Sequence, residues 1–250
     1  MAPTVGPVRS QASDERDDNA AYAVGLGPWV GPPPVGDQWD PDLLREGDRR
    51  NVEDRYRYWR HEAIVADLDR SRFPLHIAIE NWEHDFNIGS IVRTANAFNV
   101  AAFHIVGKRR WNRRGAMVTD RYQHEIHHPT VGDLTEWAAQ WRPTVTAEVD
   151  GQAAHGIPLI GIDNVPGSLP IEGRVLPSVC VLVFGQEGPG LSEEMREACE
   201  VIMHITQYGS TRSVNAGAAA AIAMPTWVEP PGPPPCAVPS TTRPLTSAGR

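Results

Sequence analysis

The sequence predicts an α/β fold in which a parallel sheet is flanked by helices and carries glycine-rich loops at its strand ends. Three observations lead there. Short apolar runs at residues 75–79, 101–106, 157–162 and 179–184 show no polar alternation, the mark of strands buried on both faces. Stretches of helical periodicity lie between such runs, as with Ile88, Ile91, Val92, Ala95 and Phe98, and alternation of this kind implies parallel pairing. Finally, the run ending at Phe184 passes straight into a loop bearing Gly185, Gly188 and Gly190, at the kind of strand end where open α/β sheets bind ligands.

The 250 residues, 41% hydrophobic and 22% charged, suffice for one globular domain with additional terminal segments. Cys180, Cys199 and Cys236 lack CxxC spacing, so neither a zinc site nor a disulfide framework is indicated, and a reducing cytoplasm is the expected setting. No apolar run approaches the ~20 residues of a membrane span, and no basic-then-apolar leader opens the chain. The net charge of -8 argues against a nucleic-acid partner unless cations are concentrated locally.

In chain order, residues 1–41 are rich in Pro and Gly and read as a disordered tail. Residues 42–73 form an N-terminal extension built on an amphipathic helix over 49–70, with Val52, Tyr56, Trp59 and Ala63 on one stripe and Arg50, Asp54, Arg57 and His61 opposite. Pro74 ends it. The strand at 75–79 leads through a polar loop to a helix capped near Asn87, running to about residue 99 and carrying Arg93.

The next strand, 101–106, runs into Lys108, Arg109, Arg110, Trp111, Arg113 and Arg114. Cations around an aromatic grip exposed RNA by charge and stacking; a solvated charge run is the plainer alternative. A short helix is expected in 115–120, a strand over 122–127 and a helix over 134–141. His124, His127 and His128 are not read as a metal site, because strand alternation separates His124 from His127 and no acidic partner has ligand spacing. The strand at 157–162 leads to Asp163 and Asn164, and 165–177 is a Pro- and Gly-containing connector. Ser192 with Glu193 and Glu194 signals a helix start. A strand over 201–205 opens a second polar loop, 213–224 is an alanine-rich helix, and the Pro-rich tail at 229–250 is expected to be disordered.

Three strings occur in order: Asn87-Ile-Gly-Ser-Ile-Val-Arg93-Thr-Ala-Asn-Ala-Phe, Phe184-Gly-Gln-Glu187-Gly-Pro-Gly-Leu-Ser-Glu-Glu, and Ile205-Thr-Gln-Tyr-Gly209-Ser-Thr-Arg-Ser213-Val-Asn215. On these the chain resembles the SpoU (TrmH) branch of the SPOUT RNA methyltransferases, over roughly residues 75–226 and within a domain drawn at 74–228. The resemblance implies a C-terminal deep trefoil knot, S-adenosylmethionine as cofactor, the ribose 2'-hydroxyl of a structured RNA as acceptor, with tRNA ahead of rRNA, and a homodimer packed through the knot. It places Phe184, Gly185, Gln186, Glu187, Gly188, Ile205, Gln207, Gly209, Ser213 and Val214 at the cofactor, and gives Arg93, Asn87, Glu187, Ser213 and Asn215 catalytic parts.

A guanidinium stays protonated in proteins, so Arg93 suits steadying a developing alkoxide better than accepting its proton; a salt-bridged helix arginine is the structural alternative. Glu187 and Ser213 could equally serve as capping groups. The chain also departs from the family pattern: relatives commonly read Ile-Pro-Met where this one reads Ile205-Thr206-Gln207, which changes the pocket wall. Two further readings stay open, a knotted RNA-binding protein without turnover and an RNA base methyltransferase. A nicotinamide site is disfavoured because neither position nor spacing at Gly185 fits G-x-G-x-x-G.

Overall fold

A computed structural model describes residues 25–82, 87–141, 148–149, 152–153 and 156–228. The disorder expected for 1–24 and 229–250 lies outside the described residues. The chain divides into two compact units, one ending at Trp59 and one beginning at Arg60.

In the first unit, residues 25–41 have defined backbone partners where the sequence suggests a tail. Leu26 bridges to Asp48 and Trp39 to Trp59, and helix α1 (Pro41–Glu46) is capped by the Asp40 carboxylate. Aromatic packing supplies the burial that composition conceals: Tyr58 meets Trp29 edge-on at 5.4 Å, and Trp59 meets Tyr56 at 5.4 Å and Trp39 at 6.2 Å. Beneath them Asp48 is fully buried and accepts from the Arg50 guanidinium and from the backbone N–H groups of Arg50 and Tyr58. Burial alone would raise its carboxyl; the Arg50 and backbone hydrogen bonds outweigh that and hold it at about 2.

The continuous helix expected over 49–70 is therefore corrected. Tyr56 closes a single 3-10 turn, Asp54–Tyr56, Tyr58 adopts φ 64°, and helix α2 occupies only His61–Leu68 in the second unit. The Tyr56 and Trp59 spacing is helical, but the buried Asp48 takes the Tyr58 N–H and the rings pack on one another, so tertiary contacts override the period.

The second unit is built on a seven-stranded sheet. β1 (Phe73–Asn81) is followed by α3 (Ile88–Ala97), β2 (Val100–Gly107), β3 (Glu125–His128) and α4 (Val131–Gln140). A separate hairpin, β4 (Glu148–Val149) and β5 (Gln152–Ala153), precedes β6 (Leu159–Ile162), β7 (Leu169–Pro170), β8 (Cys180–Phe184), α5 (Glu193–Ala198), β9 (Val201–His204) and α6 (Ala216–Val228). The order across the sheet is β3-β2-β1-β8-β6-β9-β7, with every pairing parallel. The strand expected at 122–127 is shifted: Tyr122 ends a 3-10 turn, and pairing begins at Glu125 opposite Phe103.

Alternation along the strands sends Leu75, Ile77, Ile79, Leu182 and Phe184 into a core shared with α3 and α6. Ala78, Val181 and Val183 enter a second core with Leu134 of α4 and Met195 of α5. Both faces are thus covered, as a parallel sheet demands. On the α4 face three buried histidines from neighbouring strands form a ladder: His76 Nδ1 lies 3.0 Å from His104 Nε2, and His104 Nδ1 lies 2.9 Å from His128 Nε2. His124 instead meets Asp69, and His127 the Gly107 carbonyl.

Candidate active site

Register places the site. Ile79 of β1 and Ile162 of β6 both lie level with Phe184 of β8, and Ile162 is level with Met203 of β9, so the loops leaving β6, β8 and β9 emerge along one edge of the sheet. Between them is a cavity of about 650 Å³, within the size range of small-molecule sites.

The loop after β8 is shaped by hydrogen bonds and by the absence of side chains. Gln186 and Gly190 exchange two backbone hydrogen bonds of 3.0 Å, folding residues 185–190 back on themselves. A Cβ on Gly185 would collide with the Gly190 and Leu191 backbone, so only glycine fits. Gly190 has φ 73° and lies against Asp163, whose carboxylate accepts the Leu191 N–H at 2.9 Å. From β1, fully buried Glu80 accepts from the Ser192 N–H at 2.8 Å, the Ser192 hydroxyl at 2.7 Å and Trp82 Nε1 at 2.8 Å. Trp82 N–H in turn donates to Gln186 Oε1 at 3.1 Å, tying β1 to the far side of the loop.

The three sequence strings meet at Asn87. Its Nδ2 donates to Glu187 Oε2 at 2.6 Å and its Oδ1 accepts from Asn215 Nδ2 at 2.7 Å. Asn215 Oδ1 accepts from the Gly217 and Ala218 N–H groups, capping α6. One carboxamide therefore clamps the glycine-rich loop and the start of the last helix together, using donor and acceptor at once. Asn87 occupies the cap position of α3 without making a side-chain cap bond there, so its side chain is committed to this bridge.

Of the ten residues assigned to the cofactor, Phe184, Gly185, Gln186, Glu187, Gly188, Ile205, Gln207, Ser213 and Val214 line the cavity; Gly209 stands off it on the exposed loop. Asn215 also lines it, and Asn87 borders it through Glu187 and Asn215. Arg93 does not line the cavity. It is exposed on α3, one turn beyond Ser90, against which Gly217 of α6 packs closely, and no ion pair holds its guanidinium among the described residues. Residues missed by the sequence reading include Asp163 and Asn164 at the end of β6, Pro189, and Ala216 and Ala219 of α6. Glu80 was missed as well: the sequence reading places it in the polar loop after residues 75–79, whereas β1 runs on to Asn81 and buries it.

The basic loop after β2 needs one correction. Trp111 is only 8% exposed, packs edge-on to Phe103 at 6.0 Å and is covered by the Arg113 guanidinium 4.6 Å from its ring, so it offers no open face for stacking on a base. Arg113 is itself held by Asp120 and by Glu125. Lys108, Arg109, Arg110 and Arg114 are exposed, and Asn81 Nδ2 fixes the loop by donating to the Lys108 carbonyl at 2.5 Å and the Arg110 carbonyl at 2.9 Å.

Comparison with known proteins agrees with this fold. The family model described as SpoU rRNA Methylase matches residues 74–225. A protein of Mycolicibacterium vanbaalenii named an uncharacterized tRNA/rRNA methyltransferase is 28% identical over 170 residues, covering 68% of this chain and 51% of its own length. The chain thus spans about half the length of the curated relatives it matches first. Among solved structures, the A. aeolicus TrmH/SpoU tRNA modifying enzyme superposes with a TM-score of 0.54 at 20% identity, covering 67% of this chain and 80% of that one. The SpoU methyltransferase AviRb of Streptomyces viridochromogenes, solved with AdoMet, gives 0.51 at 22% identity, covering 65% of this chain and 60% of that one. With its family match spanning the sheet and all three strings that meet at Asn87, the chain belongs to the SpoU rRNA methylase family.

Proposed function

We propose that this protein is an S-adenosylmethionine-dependent methyltransferase acting on the ribose 2'-hydroxyl of a structured RNA, with tRNA ahead of rRNA. The observation that carries the reading is the Asn87 bridge, which joins Glu187 to Asn215 beside a cavity of suitable size. The residues present suit the cofactor: Phe184, Ile205 and Val214 give apolar wall for a purine, the glycine loop exposes backbone polar groups, and Glu187 supplies negative charge near a sulfonium. When bound, the cofactor supplies an electrophilic methyl group. The protein's task is to hold the 2'-hydroxyl in line with it and to stabilise the alkoxide that develops. Arg93, a cation exposed on α3 with no ion pair among the described residues, is the group assigned to that charge. Ser213, on the cavity wall, is assigned to the nucleotide. The exposed Lys108, Arg109, Arg110 and Arg114 supply the local positive charge that an overall -8 chain needs for RNA. A trefoil knot at the C-terminal strands and a homodimer packed through it complete the proposal, in a reducing cytoplasm that suits the buried Cys180 thiol.

The test is transfer of tritiated methyl from S-adenosylmethionine into total RNA, followed by digestion to nucleosides. Label in 2'-O-methyl nucleosides, lost in Arg93→Ala while cofactor binding persists, is the expected result. Label in the nucleobase would replace the reading with base methylation. RNA binding with no label would replace it with a binding protein.

A further inference from the structure

The loop after β9 carries Thr206 and Gln207, and their hydrogen bonds differ sharply. Thr206 gives both its N–H and its hydroxyl to the Glu172 carboxylate, at 2.8 and 2.9 Å. A proline could make neither bond. The loop is fastened again where Asn164 Nδ2 donates to the Arg212 carbonyl at 2.9 Å. Gln207 is held between these two anchors on the cavity wall.

Its carboxamide is poorly satisfied there. Among the described residues Oε1 is buried with no hydrogen-bond partner, and Nε2 reaches only the Arg212 carbonyl, at 3.4 Å, to which Asn164 also donates. A half-buried carboxamide whose oxygen is orphaned and whose nitrogen makes one long bond is costly, and native sites that keep such a group usually give it a partner. Ile205 and Val214, with Ala219 of α6, give the same cavity apolar lining. The polar groups Glu187 and Asn215 belong to the Asn87 bridge. A ligand with a flat heteroaromatic ring and a charged amino-acid end would set its ring against the apolar wall, and its edge would then face Gln207.

We infer that Gln207 is a specificity-determining residue that reads the amino-bearing edge of the cofactor's adenine, accepting from the exocyclic amine and donating to the neighbouring ring nitrogen after a small side-chain rotation. A glutamine amide matches that donor–acceptor edge in two bonds. A methionine at the same place would pack on the ring and read nothing. The inference rests on the cavity being the cofactor site, as proposed above.

The experiment is a binding cycle by calorimetry, with the full chain and no RNA, so that turnover plays no part. S-adenosylhomocysteine and S-inosylhomocysteine, in which a carbonyl replaces the amine and the ring nitrogen carries a proton, are each titrated into wild type, Gln207→Met and Gln207→Ala. Thermal melts check that each variant is folded. Wild type should favour the adenosyl compound, and that preference should shrink by about ten-fold or more in both variants, within the range that one bidentate amide–base pair discriminates. An unchanged preference in folded Gln207→Met and Gln207→Ala would overturn the inference and leave the cofactor site standing. If wild type bound neither compound, the cofactor reading itself would fall, and the inference with it.

Discussion

Acidification should unlock the sheet through its histidine ladder before any carboxylate contributes. His76, His104 and His128 are 7%, 0% and 4% exposed and lie on three adjacent strands beneath Trp137. Burial lowers the His76 imidazole from 6.5 to about 4, and burial plus the two flanking rings drive His104 well below the usual range. Burial also lowers His128, though Asp133 opposes the shift. These rings are neutral in the folded protein, whereas the unfolded chain takes up protons near 6.5, so stability is full above that value and falls as pH drops toward 4. With those two values, His76 alone removes about 2 kcal/mol by pH 5 and about 3 kcal/mol by pH 4. His104 adds to the loss in the same direction. The lowered carboxylates, Asp48, Asp69 and Asp133 from 3.8 and Glu172 from 4.5, begin to matter only as pH nears those values, so the upper part of the window belongs to the histidines. Urea unfolding followed by tryptophan fluorescence at half-unit steps from pH 7.5 to 4.5 measures the slope, with His76→Phe as the comparison. A flat profile in wild type between 6.5 and 4.5, or an equally steep one in a folded His76→Phe protein, would refute the reasoning.

Three other changes test the site. Gly185→Ala drives a methyl group into the Gly190 and Leu191 backbone; overpacking of this kind costs about 1–3 kcal/mol, and calorimetry should show cofactor binding weakened or lost. Asn87→Ala leaves Glu187 and Asn215 without their shared partner, so a loss of about 1–3 kcal/mol in chemical denaturation and weaker cofactor binding are expected; Asn87→Asp should be no better, because a carboxylate cannot donate to Glu187. Glu80→Ala strips the Ser192 N–H and Trp82 Nε1 of their acceptor, at about 1–3 kcal/mol for each group left buried, and should lower the melting temperature far more than Glu193→Ala on the exposed start of α5.

Much of the second unit was legible because its signals are local. The apolar runs at 75–79 and 179–184 read as buried strands, and the glycines of 185–190 marked a ligand-type loop at a strand end. Contacts set by sheet order were not legible. Leu75 pairs with Cys180 across 105 residues, and the histidine ladder exists only because β1, β2 and β3 adopt one particular register. Nothing near His76 announces His104. Trp111 misled for the same reason: a tryptophan among arginines reads as a stacking platform until Phe103 is known to lie beneath it. In residues 25–41 proline content suggested disorder, yet packing among five aromatic rings between Trp29 and Trp59, with one buried aspartate, orders the segment, and these act through distance rather than period.

A crystal of the full chain grown with S-adenosylmethionine tests the central claim most directly. The ligand should lie among the backbone of residues 185–190, Ile205 and Val214, with the Asn87 bonds to Glu187 and Asn215 intact. Ligand density elsewhere with this cavity empty at saturating concentration, or an Asn87 side chain turned away from both partners, would contradict the account.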